Sequence, residues 1–257
     1  MSIDHHNKTV WNKAAESALK WSTPISDEQI KSAKLARPEL QLTYKKSIPD
    51  TWTARLKGKK VLVVGGSGGQ QVPLLAAFGC EVTALDISSG QLELDRKVLL
   101  ANGLEAELVE GSYQVLSTFQ DSAFDAIINP VSNCYFSDIE SFWIECYRVL
   151  RDNGFMFYGF INPLVFQFDF ELANRGTFTL RYPQPFSDEK SLCDHEKKRF
   201  LRDDTPFEFG HSLSQQIGAP LKMGFKLVDF FEDGWDGEPD RPIDKYFPQF
   251  IAGFLQK

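Results

Sequence analysis

One stretch restricts the fold of this chain more than any other. It is Lys60-Val-Leu-Val-Val-Gly65-Gly66-Ser67-Gly68-Gly69-Gln70-Gln71, an apolar run that breaks into glycines. Asp86 closes the next apolar run, 21 residues after Gly65. A short uninterrupted apolar run is what a strand covered on both faces of a parallel sheet requires. Glycines after it let the chain turn sharply into a helix, and let a ligand lie against bare backbone with the helix amides facing it. An acidic side chain at the end of the second strand is placed to accept both hydroxyls of a ribose. The spacing is that of one strand–helix–strand unit, and it predicts an adenosine-type ligand at the carboxyl ends of the strands. Gly65, Gly66, Ser67, Gly68, Gly69, Gln70 and Asp86 are the candidate binding residues.

The same rhythm continues downstream. A helix over Pro73–Phe78 ends at Gly79, and Glu81–Asp86 is the second strand. Ser88 caps a helix from Gly90 to Asn102, which Gly103 stops. Strands follow at Ala106–Glu110, Phe124–Asn129 and Phe155–Phe160, with an amphipathic helix over Ile139–Leu150. Strands alternating with helices imply right-handed crossovers and a doubly wound α/β sheet, parallel through these strands. Residues 1–58 read as a helical cap: Lys8–Trp21 has helical apolar spacing, and Ser26 with Gln29 forms a capping signature. Residues 162–206 break the rhythm and read as an insertion or lid. They include an expected strand at Thr177–Tyr182 and a charge run at 188–204 that reads as a solvated face. Order resumes with a helix over His211–Met223 and strands at Phe225–Phe231 and Phe247–Leu255. No helix separates these two strands, so they pair antiparallel across a long turn, Asp233–Tyr246. The expectation is a single domain over 1–257, with its core in 59–161 and 207–257.

Composition trims the function classes. Twenty-eight Lys and Arg against 35 Asp and Glu give a net charge of −7, which disfavours a nucleic-acid partner. Twenty-two Phe and 5 Trp demand a sizeable core. No run of 18 apolar residues points to a membrane span. No apolar leader follows Met1, and the four cysteines lack C-x-x-C spacing, so a cytoplasmic protein with free thiols is expected. No His or Cys spacing suggests a metal. The oligomeric state is left open.

Taken as a set, the motifs resemble those of the class I S-adenosylmethionine-dependent methyltransferases. Gly65-Gly-Ser-Gly-Gly69 is similar to that family's G-x-G-x-G loop, with Ser67 in the place of the middle glycine and Val63 where an acid is usual. Asp86 matches the ribose-binding acid. Gly111-Ser112 falls where the family often has Gly-Asp beside adenine. Arg148-Val-Leu-Arg-Asp-Asn-Gly154-Phe is similar to the family's R-V-L-K-P-G-G turn, and His211-Ser-Leu through Gly224-Phe225 to the segment before its closing hairpin. The resemblance implies a seven-stranded sheet of order 3-2-1-4-5-7-6 with the last strand antiparallel. It implies S-adenosylmethionine as cofactor, S-adenosylhomocysteine as product and a small-molecule acceptor. It adds Ile87, Gln91, Gly111, Ser112, Tyr113, Asn129, Pro130 and Val131 to the cofactor-binding candidates.

Asn129-Pro130-Val131-Ser132 is similar to the N-P-P-Y segment of amino-methylating enzymes, but lacks the second proline and the aromatic, so it reads as a pocket wall. His211 is the candidate general base near the pocket mouth, and Tyr135 a candidate for orienting the acceptor. Asn7 and Trp11 are candidates for closing the pocket. Two alternatives stay open: an NAD(P)-dependent oxidoreductase, which the missing third glycine of G-x-G-x-x-G opposes, and a non-catalytic protein that binds S-adenosylmethionine.

Overall fold

The computed structural model describes residues 2–17, 19–235 and 242–257. Seven strands form one sheet: β1 (Lys60–Val64), β2 (Glu81–Asp86), β3 (Glu107–Glu110), β4 (Phe124–Asn129), β5 (Leu150–Ile161), β8 (Lys226–Asp233) and β9 (Phe250–Gln256). Two further strands, β6 (Phe186–Ser187) and β7 (Phe209–Gly210), pair with each other outside it. The sheet order is β3-β2-β1-β4-β5-β9-β8. In sheet-strand numbering this is the expected 3-2-1-4-5-7-6. All pairings are parallel as far as β4–β5, and β9 runs against both its neighbours.

The apolar texture of β1 has a direct structural meaning. Val61 and Val63 point into one core with Val72, Leu75 and Val98, while Leu62 and Val64 point into the other with Phe142, Trp143 and Leu255. The first core is covered by helices α2 (Asp27–Leu35), α4 (Gln71–Ala77) and α5 (Ser89–Ala101), together with the short α3 (Asp50–Thr53). The second is covered chiefly by α6 (Ile139–Val149). Local signals are where the sequence places them. Ser26 and Gln29 form a reciprocal capping box, Ser88 accepts from the Gln91 amide, and Gly79 and Gly103 take positive φ after their helices. Arg148 of the R-V-L turn donates to the carbonyls of Leu116 and Phe119 and to Glu145 and Asp121, locking α6 onto the loop after β3.

Three expectations differ. Thr177–Tyr182 is not a strand. Leu180 makes one isolated bridge to Phe168, and the Arg181 and Tyr182 amides both donate to the Gln167 carbonyl instead of to a ladder. The alternation there reflects a small aromatic cluster in which Phe178 contacts Phe168 and Tyr246. The expected His211–Met223 helix runs unbroken from Leu213 to Met223 but is not regular α-helix throughout. A π-turn spans Ser214–Gly218 and α10 spans Ala219–Met223. Pro220 has no N–H, so it leaves the Gln216 carbonyl to the Tyr158 hydroxyl, and the π-turn leaves the Gln215 carbonyl to the Trp143 indole. The first helix, α1 (Ile3–Glu16), starts earlier than the expected Lys8–Trp21 helix, and Lys20–Ser22 is a separate 3-10 turn. Ala18 of that expected helix, and residues 236–241 of the expected Asp233–Tyr246 turn, lie outside the described residues.

Residues 162–206 hold the short helices α7 (Phe170–Asn174), α8 (Asp188–Ser191) and α9 (Asp194–Arg202), along with β6. No described helix is long and apolar enough to cross a membrane.

Asp233 ties the segment after α2 to the sheet edge. Its Oδ2 accepts from the Thr43 hydroxyl at 2.7 Å and from the Lys45 and Lys46 amides at 2.8 and 2.9 Å. Burial pushes this carboxyl up, but those donors outweigh it and hold the group below the usual carboxylate range. Asp233→Ala is expected to lower stability by about 2–3 kcal/mol, since hydrogen bonds to a charged acceptor are lost together. The urea midpoint at constant slope measures this; an unchanged midpoint would contradict it.

Candidate functional site

The carboxyl ends of β1 to β4 open into a cavity of about 260 Å³. The glycine turn forms its floor. Gly65, Gly68 and Gly69 all have positive φ, at 61°, 121° and 77°, which only glycine adopts without strain. The turn is also crowded. A Cβ on Gly65 would lie 2.5 Å from the Ser132 hydroxyl oxygen, one on Gly68 2.6 Å from the Trp21 carbonyl, and one on Gly69 2.8 Å from the Pro24 ring. The N-terminal segment therefore sits directly on the turn, and the Ile25 amide donates to the Gly69 carbonyl at 2.9 Å.

Two carboxylates hold this turn. Asp86 Oδ1 accepts from the Ser88 amide at 2.9 Å and Oδ2 from the Ser67 amide at 3.4 Å. Burial pushes Asp86 up to about 6 despite those two donors. Asp95 of α5 is the residue that sequence reasoning missed. It is fully buried, and its Oδ1 accepts from the Gly69 amide at 2.7 Å, while burial pushes its carboxyl up to about 8 against that donor. A signal was present in the pattern, because Asp95 falls on the buried stripe Gln91, Leu92, Asp95, Val98, Leu99, where an acid needs a reason. It brings a carboxyl group to the loop that Val63, buried in the core, does not supply.

Of the expected cofactor residues, Gly65, Gly66, Ser67, Gln70, Asp86, Ile87, Gln91, Gly111, Ser112, Tyr113, Pro130 and Val131 line the cavity. Gly68 and Gly69 shape the turn beneath it. Asn129 stands behind the wall: fully buried, it donates to the Val64 carbonyl and the Ser132 hydroxyl, both at 2.8 Å. Gln91 donates to the Trp11 carbonyl and the Ser22 hydroxyl, and its buried Oε1 has no partner among the described residues.

The two catalytic candidates separate. Tyr135 lines the cavity. His211 does not, and its place is set by packing: Nε2 lies 2.9 Å from the Phe136 carbonyl, which only accepts, so that nitrogen carries the proton. Burial holds the imidazole below its usual range, so the ring stays neutral at pH 7.

Helix α1 closes the opposite side and places Asn7 and Trp11 on the cavity wall. Asn12 Oδ1 accepts from the Ser88 hydroxyl and the Gly90 amide, fastening α1 to α5. Asn7 clasps Phe207 in both directions at 2.9 Å, and His6 Nε2 meets the Thr205 carbonyl at 2.9 Å. Lys8 pairs with Glu110 at the end of β3.

Three comparisons bear on this arrangement. The family model described as "Methyltransferase domain" matches residues 62–158. The chain is 39% identical over 241 residues to the uncharacterized methyltransferase YbaJ of Bacillus subtilis, covering 94% of each. An S-adenosylmethionine-dependent methyltransferase from Mesorhizobium loti shares the fold at TM-score 0.60 and 12% identity, over 82% of this chain and 94% of that one. So does Burkholderia thailandensis 1,6-didemethyltoxoflavin-N1-methyltransferase, solved with 1,6-didemethyltoxoflavin and S-adenosylhomocysteine. There the TM-score is 0.55 and the identity 12%, over 100% and 91% of the two chains.

Asp95 and Asp86 make stability depend on pH in a direction that can be derived. In the fold both carboxyls keep their proton well above about pH 4, where the unfolded chain has already lost it. Unfolding therefore releases protons, and stability falls as pH rises through about 6 for Asp86 and about 8 for Asp95. The Asp95→Asn variant is expected to show a shallower fall in melting temperature up to about pH 8 than the wild type. It keeps some slope from Asp86 and from Asp188, which burial pushes up to about 7. Equal slopes would contradict the assignment of Asp95.

Proposed function

The chain belongs to the class I S-adenosylmethionine-dependent methyltransferases, and we propose that it transfers the methyl group to a small-molecule acceptor held in the aromatic half of the cavity. One observation carries this reading. A single cavity joins the glycine turn and Asp86 to walls built from Trp11, Tyr135 and Phe136.

The residues present fit the cofactor. The turn leaves bare backbone on its cavity side, Asp86 ends β2 in the cavity wall, and the orphan Gln91 Oε1 is a buried acceptor beside the turn. On this reading Asp86 holds the ribose hydroxyls, with its carboxylate already aligned by the Ser67 and Ser88 amides. Ile87, Gly111, Ser112 and Tyr113 take the adenine end, and Gly65, Gly66, Pro130 and Val131 the amino-acid end. Asn129 and Ser132 prop the junction of β1 and β4 from behind.

When bound, S-adenosylmethionine supplies a methyl group on a positively charged sulfur that is already reactive toward a nucleophile. What remains for the protein is to bring the acceptor in line and keep water out. Trp11, Tyr135 and Phe136 serve the second task, and aromatic faces near a sulfonium add attraction. On this reading residues 1–58 act as a cap over the turn, and residues 162–206 are an insertion that backs the Tyr135 wall through Phe166 and Phe186.

Asp86→Ala is expected to weaken S-adenosylhomocysteine binding by about tenfold to a hundredfold in calorimetric titration, as loss of a charged hydrogen-bond partner implies. Undiminished affinity would contradict the role of Asp86. S-adenosylhomocysteine is expected to raise the melting temperature while NAD and NADP leave it unchanged; stabilisation by a nicotinamide alone would restore the oxidoreductase alternative.

A further inference from the structure

Resting on that methyltransferase reading, we propose that Asp4 of the N-terminal helix reads the purine of the cofactor, its carboxylate accepting a hydrogen bond from the exocyclic amine of adenine. The sheet fixes where the base lies. Asp86 stands in register with Glu110, and the Gly111 amide donates to the Asp86 carbonyl at 2.9 Å. The loop 111–113 therefore begins one strand spacing, about 4.8 Å, from the residue that holds the ribose. A base joined to that ribose falls between this loop and Ile87, which line the cavity together.

The loop's own side chains do not tell one purine from another. The Ser112 hydroxyl both donates and accepts, so it suits an amine and an oxo group equally. It turns to Gln114 Oε1 at 3.5 Å. The Tyr113 hydroxyl is engaged elsewhere and accepts from the Asp138 amide at 3.1 Å.

Helix α1 brings a group that only accepts. Asp4, Asn7 and Trp11 are spaced i, i+3, i+7 along one face of the helix, and all three line the cavity. The neighbouring face is pinned at two points. Asn12 accepts from the Ser88 hydroxyl and the Gly90 amide beyond β2, and Lys8, one turn earlier, pairs with Glu110 at the end of β3. The helix thus crosses the ends of β2 and β3 in that order. Asp4, one turn before Lys8, is carried to the loop that follows β3. It is half-buried, and among the described residues its carboxylate has no ion-pair or hydrogen-bond partner.

A carboxylate at the purine edge attracts the amine of adenine and repels the oxo oxygen of hypoxanthine. The group that selects the base then comes from the first turn of α1, so seating that helix is part of binding the cofactor.

The test is calorimetric titration of the full chain with S-adenosylhomocysteine and with S-inosylhomocysteine, which carries an oxo group in place of the amine. The wild type is expected to bind the inosyl compound at least about tenfold more weakly, as a mismatched hydrogen bond to a charged group requires. Asp4→Asn, whose amide can donate to the oxo group, should bring the two affinities within about threefold of each other. Ser112→Ala should keep the preference, and Asp86→Ala should weaken both ligands alike. A helix that merely braces the fold would leave the ratio of the two affinities unmoved. Equal binding of the two compounds by the wild type, an unchanged ratio in Asp4→Asn, or a preference lost in Ser112→Ala would overturn the proposal. Failure of the wild type to bind S-adenosylhomocysteine would instead overturn the reading of the site on which it rests.

Discussion

The interaction on which the rest of the site depends is the grip of two buried carboxylates on one glycine turn. Asp95 takes the Gly69 amide and Asp86 takes the Ser67 amide, so a loop with three positive-φ glycines is held in one conformation. A loop this rich in glycine is entropically expensive to order. Its order comes from these bonds and from the N-terminal segment seated on it, through Trp21, Pro24 and Ile25. Burial pushes both acids toward protonation, and the nearby Asp86 adds to the push on Asp95. Stability is thereby lowered near neutral pH at the place where a ligand would offset it.

Helix α1 and the 205–207 segment meet beside the same cavity. α1 reaches α5 through Asn12 and the 205–207 segment through His6 and Asn7. Sequence positions near 7 and near 207 thus share one wall, and the site is assembled from both ends of the chain as well as from the strand ends of the sheet.

Much of this was legible in the residues. β1 and its glycines, Asp86 at the end of β2, the capped helices and the closing β8–β9 hairpin all follow from local pattern, because burial on two faces, positive φ and helix caps each leave a residue-level trace. What stayed hidden depends on contacts distant in sequence. Asp95 declares itself only as an acid on an apolar stripe, and the amide it holds is 26 positions away. Asp4 reads as an ordinary acid in the first turn of a helix, and the loop it faces is shown only by the pairing of Lys8 with Glu110, 102 positions away. The Thr177–Tyr182 pattern misled for the opposite reason: aromatic alternation there serves a local cluster, with no adjoining strand to pair with among the described residues. His211 showed a plausible residue at a plausible place, and packing turned its ring to the Phe136 carbonyl.

The most direct test of the account is a crystal structure of the chain with S-adenosylhomocysteine bound. The account places the ribose hydroxyls on the Asp86 carboxylate, the glycine turn against the ligand, and the sulfur facing the aromatic compartment that contains Tyr135 and Phe136. A ligand seated elsewhere, or one whose sulfur faces away from Tyr135 and Phe136, would contradict it.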